Sequence, residues 1–125
     1  MSEIEIHRFD RDQLKRVVVR NGEYVDWLQV AISDESCVAA FQEFRKEEKL
    51  GYWVMWYDEI HFATGGEAEL IYSMPPTYDE EVTVRVKTGD LYLLPIGVQV
   101  RWRVLSDEPY STMFVCMPAP KHFEF

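Results

Sequence analysis

Turn signals recur along this chain at short intervals, and the segments between them alternate apolar with polar side chains. Asn21-Gly22, Gly51, Gly65-Gly66, Pro75-Pro76, Gly89-Asp90, Pro95 with Gly97, Pro109 and Pro118 each interrupt the backbone. The clearest alternation is Glu81 to Lys87, with Val82, Val84 and Val86 against Thr83, Arg85 and Lys87. A two-residue period of that kind makes one face of a strand apolar and the other polar. Val98 to Leu105 repeats it with Val98, Val100, Trp102 and Val104. Further strands are predicted at Tyr24 to Ser33, Cys37 to Phe44, Tyr52 to Phe62, Glu67 to Ser73, Leu91 to Leu94 and Ser111 to Met117. Ala39-Ala40 and the residues after it also have helical propensity. A short turn through Gln13 to Arg16, capped by Asp10 or Asp12, is the most helix the N-terminus supports before Val17-Val18-Val19. About eight or nine short strands at regular spacing predict an all-β sandwich or barrel.

The bulk properties restrict the function classes. The chain has 125 residues, enough for one domain with its own core: an N-terminal arm over about 1–23, a barrel over about 24–117 and a tail over 118–125. Hydrophobic residues make up 47%, which excludes wholesale disorder. The net charge of -9 argues against nucleic-acid backbones and anionic membrane surfaces, both of which recruit clustered Lys and Arg. No apolar run approaches the length of about 20 residues that spans a bilayer. Cys37 and Cys116 fit no zinc spacing and read as two buried free thiols in a reducing compartment. The acidic start, Met1 to Ile6, lacks an apolar signal core, so a cytoplasmic protein is expected.

Two segments carry the most specific information. They are Tyr57-Asp58-Glu59-Ile60-His61-Phe62-Ala63-Thr64-Gly65-Gly66-Glu67 and Gly89-Asp90-Leu91-Tyr92-Leu93-Leu94-Pro95-Ile96-Gly97. Together they resemble the two sequence blocks of the cupins. The likeness covers Gly51 to Val104, and the strand pattern extends it over most of the chain. It implies a cupin-type double-stranded β-helix, a jelly-roll barrel that holds a metal or a small molecule in its mouth. Within that superfamily, Trp53-Val54-Met55-Trp56-Tyr57-Asp58-Glu59-Ile60 looks most like the ethanolamine-utilisation type. Cupins also pair through their outer sheet, so the resemblance implies a homodimer.

The same resemblance implies a poor metal site. The two first-block histidine positions fall on Trp53 and Met55, the glutamate position on Glu59, and the second-block histidine position on Val100. One oxygen donor of four is left. Transition metals in such sites need several imidazole or carboxylate donors, so no cofactor is expected.

On one uninterrupted strand Trp53, Met55, Tyr57, Glu59 and His61 share a face, and the resemblance turns Glu59 inward. Val100 and Trp102 are expected to face them from another strand, with Gln42 and Tyr72 as further candidates for the pocket. The expected result is an apolar and aromatic mouth with one carboxylate and one imidazole, the ordinary make-up of a small-molecule site. A carboxylate beside an imidazole favours the protonated ring, while loss of water favours the neutral acid. Glu59 and His61 are therefore the candidate proton-transfer residues and Tyr57 the candidate hydrogen-bond donor to a developing enolate. Trp53, Met55, Val100, Trp102, Gln42 and Tyr72 are the candidate substrate contacts. The plainer alternative is that His61 is a hydrogen-bonded core residue and the aromatics are only wall. Arg101 and Arg103 are expected to point outward, and His7 and His122 carry no assigned role.

Three functions fit these residues. The first is a metal-independent lyase, isomerase or dehydratase acting on a small carbonyl or aromatic metabolite. The second is a non-catalytic ligand-binding or assembly module. The third is a metalloenzyme with a rearranged site built from Glu59, His61 and a donor such as Gln42 or His122.

Overall fold

The computed structural model describes residues 3–19, 24–48 and 51–118. Among the described residues ten strands form two antiparallel sheets. The larger sheet has the order β1 (Lys15–Val19), β2 (Tyr24–Ser33), β3 (Val38–Phe44), β10 (Tyr110–Met117), β5 (Asp58–Gly65), β8 (Leu91–Leu94). The smaller has the order β4 (Trp53–Val54), β9 (Gln99–Val104), β6 (Glu67–Ser73), β7 (Glu81–Lys87). The alternation read from the sequence therefore builds strands, including the Ala39-Ala40 segment. The arm also contributes a strand, since β1 pairs with β2 from Lys15↔Leu28 to Val19↔Tyr24. The Asn21-Gly22 turn and the tail from 119 onward, with His122, lie outside the described residues.

Cross-strand register decides which side chains meet inside. In the larger sheet one inward row is Leu28, Gln42, Thr112 and Ala63, and the next is Ala40, Phe114, His61 and Tyr92, continued on β2 by the exposed Val30. A third row holds Val38, Cys116, Glu59 and Leu94. From the smaller sheet Trp53, Val100 and Tyr72 form one row, and Trp102 with Leu70 forms the next. The two faces close on each other around stacked rings. Phe44 lies 4.6 Å from Trp102 between centroids, a contact that adds about 0.5–1.5 kcal/mol to the burial itself.

Two expectations about strands are corrected. The single strand from Tyr52 to Phe62 is two strands in two sheets, β4 and β5. Between them the chain crosses over: Met55 N–H donates to Val98 O (2.9 Å) and Gly97 N–H to Met55 O (2.7 Å), and Asp58 Oδ1 accepts from Ile96 N–H (2.9 Å). Trp56 swings out to 68% exposure, while Met55 and Tyr57 stay buried. The uniform apolar character of this run concealed the break. The second correction concerns β7, where only Val86 is buried and Val82 and Val84 remain exposed. β7 is an edge strand, with no neighbour beyond it to cover those two side chains.

The N-terminal arm is pinned to the outer face of the larger sheet. Asp10 caps the 3₁₀ turn Arg11–Gln13 by accepting from Asp12 N–H (3.0 Å). Gln29 accepts from Asp10 N–H (2.9 Å) and donates to Arg8 O (2.9 Å). The fully buried Glu43 carboxylate binds Arg11 and Arg45 at 2.8 Å each. Arg45 also lies 3.7 Å above the Trp27 ring, which docks it against the sheet. Paired cations are what make a buried carboxylate tolerable.

The glycines of the two sequence blocks serve the turns. Gly66 has φ 75, and a Cβ there would lie 2.4 Å from Pro109 O and 2.9 Å from Tyr110 Cα. Gly89 has φ 96 with open space around it. Asp90 closes that turn by accepting from Lys87 N–H at 2.8 Å. Gly66→Ala is therefore expected to destabilise the fold by about 3–5 kcal/mol, combining a left-handed backbone with a clash against main chain. Gly89→Ala, which meets only the backbone cost, is expected to lose about 1–2 kcal/mol. Urea unfolding of the two variants checks the difference.

Candidate functional site

Glu59 and His61 are two residues apart on β5, so the pleat turns both into the barrel. They do more than face a common space. His61 Nε2 and Glu59 Oε1 are in direct hydrogen-bond contact. The second carboxylate oxygen, Oε2, accepts from Cys116 Sγ at 3.1 Å, from the same inward row on β10. The other ring nitrogen, His61 Nδ1, meets Thr112 Oγ1 at 3.3 Å. The hydroxyl of Thr112 bonds Gln42 Oε1 at 3.0 Å, and Gln42 Nε2 donates to Asp26 Oδ2 at 2.6 Å. The other Asp26 oxygen accepts from Trp27 N–H at 2.9 Å. A continuous polar string thus crosses four strands inside an apolar barrel: Cys116, Glu59, His61, Thr112, Gln42, Asp26.

The walls of this string are aromatic. His61 stacks on Tyr92 with the ring planes 1° apart and centroids 5.2 Å apart, and it also contacts Trp102 and Phe114 at 5.5 Å each. Trp102 Nε1–H donates to Tyr92 Oη at 3.1 Å, and the Tyr92 and Tyr110 hydroxyls pair at 2.8 Å. The His61 side chain is fully buried, and Glu59 keeps 7% of its side-chain surface accessible. Glu59 is therefore the outer member of the pair.

Burial controls the protonation of the surrounding groups. It pushes the Asp26 carboxyl up to about 8, with the Gln42 hydrogen bond opposing and the charge of Glu59 reinforcing the shift. Burial, then the charge of Glu59, pushes the Cys116 thiol up, so Cys116 keeps its proton and donates it to Glu59. The Tyr57 phenol is pushed up by the same two causes in the same order. Burial followed by the charge of Asp26 pushes Tyr24 up.

The fold brings most of the residues named from sequence together. Glu59, His61 and Tyr57 are buried in the barrel, as are Met55, Val100, Trp102 and Gln42, while Trp53 and Tyr72 are half-buried against the same core. Arg103 points outward to Glu69 and Arg101 lies over the Tyr52 ring, 5.2 Å away. His7 is exposed in the arm. Sequence reasoning missed Asp26, Thr112 and the role of Cys116. Alternation along β2 already placed Asp26 on the side of Leu28, and a carboxylate among inward apolar residues was the available signal. Nothing in the sequence linked Thr112 to Gln42, 70 residues away.

The described residues around Glu59 offer few donors to a metal. His61 Nε2 and Glu59 Oε1 are turned on each other rather than on a shared empty point. The buried neighbours Met55 and Val100 supply no nitrogen or oxygen donor. Among the described residues no group of three His, Cys, Asp or Glu is arranged to hold an ion.

Comparison with solved structures agrees with this architecture. An RmlC-like cupin from Methanocaldococcus jannaschii, with a double-stranded β-helix fold, superposes with a TM-score of 0.69 over 97% of this chain and 95% of its own, at 16% identity. The chain has the cupin fold. The KdgF protein of a Halomonas species matches with a TM-score of 0.66 over 93% of this chain and 98% of its own, at 14% identity. The EutQ protein of Clostridium difficile matches with a TM-score of 0.64 over 90% of this chain and 82% of its own, at 16% identity. The likeness to the ethanolamine-utilisation type thus holds at the level of the cupin fold. No protein-family model and no curated relative matches the sequence. Among the described residues no helix is long and apolar enough to cross a membrane.

The buried Asp26 has a measurable consequence. Its carboxyl binds a proton more tightly in the folded chain (about 8) than at its ordinary value of 3.8. Its contribution to stability is therefore fully present below that ordinary value and is lost as pH rises through about 8. Across the window the loss is about 1.4 kcal/mol per pH unit. Asp26→Asn has no such proton to lose, so its stability advantage over wild type should widen steadily from about pH 4 to about pH 8 in urea unfolding.

Proposed function

We propose that the barrel binds a small carbonyl-bearing or aromatic metabolite and that Glu59 and His61 move a proton on it without a metal. The observation that carries this reading is a hydrogen-bonded carboxylate–imidazole pair enclosed by aromatic side chains. Such an enclosure strengthens electrostatic interactions with a reacting group and excludes water from it. In the proposed chemistry Glu59, the outer member, removes a proton next to the carbonyl. The electron pair moves onto the carbonyl oxygen, where the Tyr57 phenol, kept protonated by burial, donates a hydrogen bond. The proton returns at a neighbouring carbon in an isomerisation. In a dehydration or another lyase step a leaving group departs from that carbon with the electron pair. Trp53, Met55, Val100, Trp102, Gln42 and Tyr72 form the proposed substrate wall. Two free thiols and a negative net charge suit a cytoplasmic protein that contacts neither nucleic acid nor membrane.

A thermal-shift screen of aromatic acids, aldehydes and phenols finds the ligand, since binding to the folded form raises its melting temperature. With the ligand in hand, Glu59→Gln and His61→Gln should each lower kcat by about 10²–10⁴-fold while the thermal shift persists. Unchanged turnover in both variants would discard the catalytic role. The full enclosure of His61 supports a second reading, a non-catalytic ligand-binding module. In that case the thermal shift is present and no ligand is turned over.

We also propose that the protein is a homodimer through the outer face of the larger sheet. On that face Met113, Phe62 and Leu91 lie side by side in register, with Leu93 in the next row, and all four are exposed. A contiguous apolar row of this kind is unusual on a monomer's surface. The double variant Phe62→Glu, Leu91→Lys is expected to sediment as a monomer where wild type sediments as a dimer. A monomeric wild type removes the proposal.

A further inference from the structure

We propose that Asp26 is a positioning residue that sets which nitrogen of His61 carries the proton, acting through Gln42 and Thr112. The inference rests on the Glu59–His61 reading above and extends it to the far end of the polar string.

Counting donors and acceptors leaves two consistent arrangements. In the first, Gln42 Nε2–H donates to Asp26 Oδ2, and the Thr112 hydroxyl donates to Gln42 Oε1. Thr112 has then spent its only proton, so its oxygen accepts from His61 Nδ1–H. One proton remains between His61 Nε2 and Glu59 Oε1, and Asp26 carries the negative charge. The second arrangement follows from turning the Gln42 amide through half a turn. A protonated Asp26 donates to Gln42 Oε1, Gln42 Nε2–H donates to Thr112 Oγ1, and Thr112 donates to a bare His61 Nδ1. His61 then holds its proton on Nε2 and donates it to an ionised Glu59. Cys116 donates to Glu59 Oε2 in both.

The two arrangements contain the same protons and the same single negative charge. They differ in where the charge sits, at Asp26 or at Glu59, and in the direction of every hydrogen bond between. One presents Glu59 as a base. The other presents the Glu59–His61 contact as an acid. Converting one into the other moves one proton from the Glu59–His61 contact to Asp26 and turns the Gln42 amide over; the amide keeps both of its own protons, so the transferred proton passes through solvent. The ionisable groups beside them are Glu59, which touches His61 and reinforces the shift of Asp26, Tyr24, whose own shift Asp26 reinforces, Tyr92, whose ring stacks on His61, and Cys116, which donates to Glu59. The structure holds Gln42 in the orientation of the first arrangement, with Nε2 on Asp26 and Oε1 on Thr112, while burial of Asp26 favours the protonated carboxyl of the second.

The test is the ¹⁵N spectrum of the histidine rings in labelled protein, from about pH 5 to about pH 10. His61 is assigned by the signal that His61→Gln removes. In wild type His61 is expected as the Nε2–H form while Asp26 holds its proton, and its ring ¹⁵N signals are expected to shift over the pH range in which Asp26 ionises. Asp26→Asn, whose amide donates to Gln42 as the protonated acid does, should hold the Nε2–H form across the range. Thr112→Val should uncouple the ring from this titration, and Thr112→Ser, which keeps the hydroxyl, should restore it. Identical His61 signals in wild type, Asp26→Asn and Thr112→Val at every pH would overturn the proposal. If Thr112→Val does not fold, the comparison of wild type with Asp26→Asn decides it alone. An uncoupled His61 with turnover still sensitive to Glu59→Gln refutes the relay and leaves the proposed catalysis standing. A coupled His61 with turnover insensitive to Glu59→Gln does the reverse.

Discussion

The interior of this barrel is organised around one costly feature, a carboxylate removed from water. Burying Glu59 among aromatic rings is unfavourable unless each oxygen finds a donor. Two donors are supplied: the imidazole of His61 from the same strand and the thiol of Cys116 from the neighbouring one. The imidazole in turn has a second nitrogen to satisfy, which recruits Thr112, then Gln42, then Asp26. The register of β5, β10, β3 and β2 is fixed by this chain of obligations as much as by apolar packing. A slip of one residue in any of those strands would turn its member of the string out to solvent.

The strands were legible in the sequence because a two-residue period survives in the side chains wherever one face of a sheet is buried. Glu67 to Ser73, Glu81 to Lys87 and Leu91 to Leu94 coincide with β6, β7 and β8. The inward placement of Glu59 was legible through the cupin resemblance, and that of His61, Val100 and Trp102 followed from it by alternation. What alternation cannot express is a change of sheet. Met55 and Tyr57 stay inside while the chain passes from β4 to β5, so the apolar run reads as one strand although its backbone bonds go to Val98 and Gly97. Alternation also cannot say whether an inward-facing residue has a neighbour to cover it, which is why Val82 and Val84 on the edge strand are exposed. The polar string was least legible of all. Gln42 meets Asp26 and Thr112 across distances of 16 and 70 residues, and only the strand order makes them neighbours.

The positions where the cupin resemblance would place imidazoles hold Trp53, Met55 and Val100, and these side chains help fill the interior. The exchange has an electrostatic logic. A cation would neutralise the glutamate directly. Without those donors the carboxylate is stabilised by hydrogen bonds instead, and stabilisation by hydrogen bonds depends on where protons sit. A carboxylate held this way is sensitive to protonation, and Asp26 is a second buried acid on the same string.

Access imposes the remaining constraint. Any ligand must meet Glu59 before His61, because the ring is sealed by Tyr92, Trp102 and Phe114 while the carboxylate keeps some accessible surface. Trp53 and Tyr72 are the half-buried members of the candidate contacts, and Trp53 lies on a strand of two residues that, among the described residues, pairs with β9 alone at the edge of the smaller sheet. Its ring leans on Tyr24, 5.4 Å away, whose strand also carries Asp26. A short edge strand with few ladder bonds is the part of a barrel that opens at least cost. Displacing Trp53 would uncover the ring of Tyr24 on the strand that carries Asp26, bringing solvent closer to a carboxyl whose protonation depends on its absence. On the proposed function, ligand entry past Trp53 would thus act on the charge distribution along the string through the same few side chains.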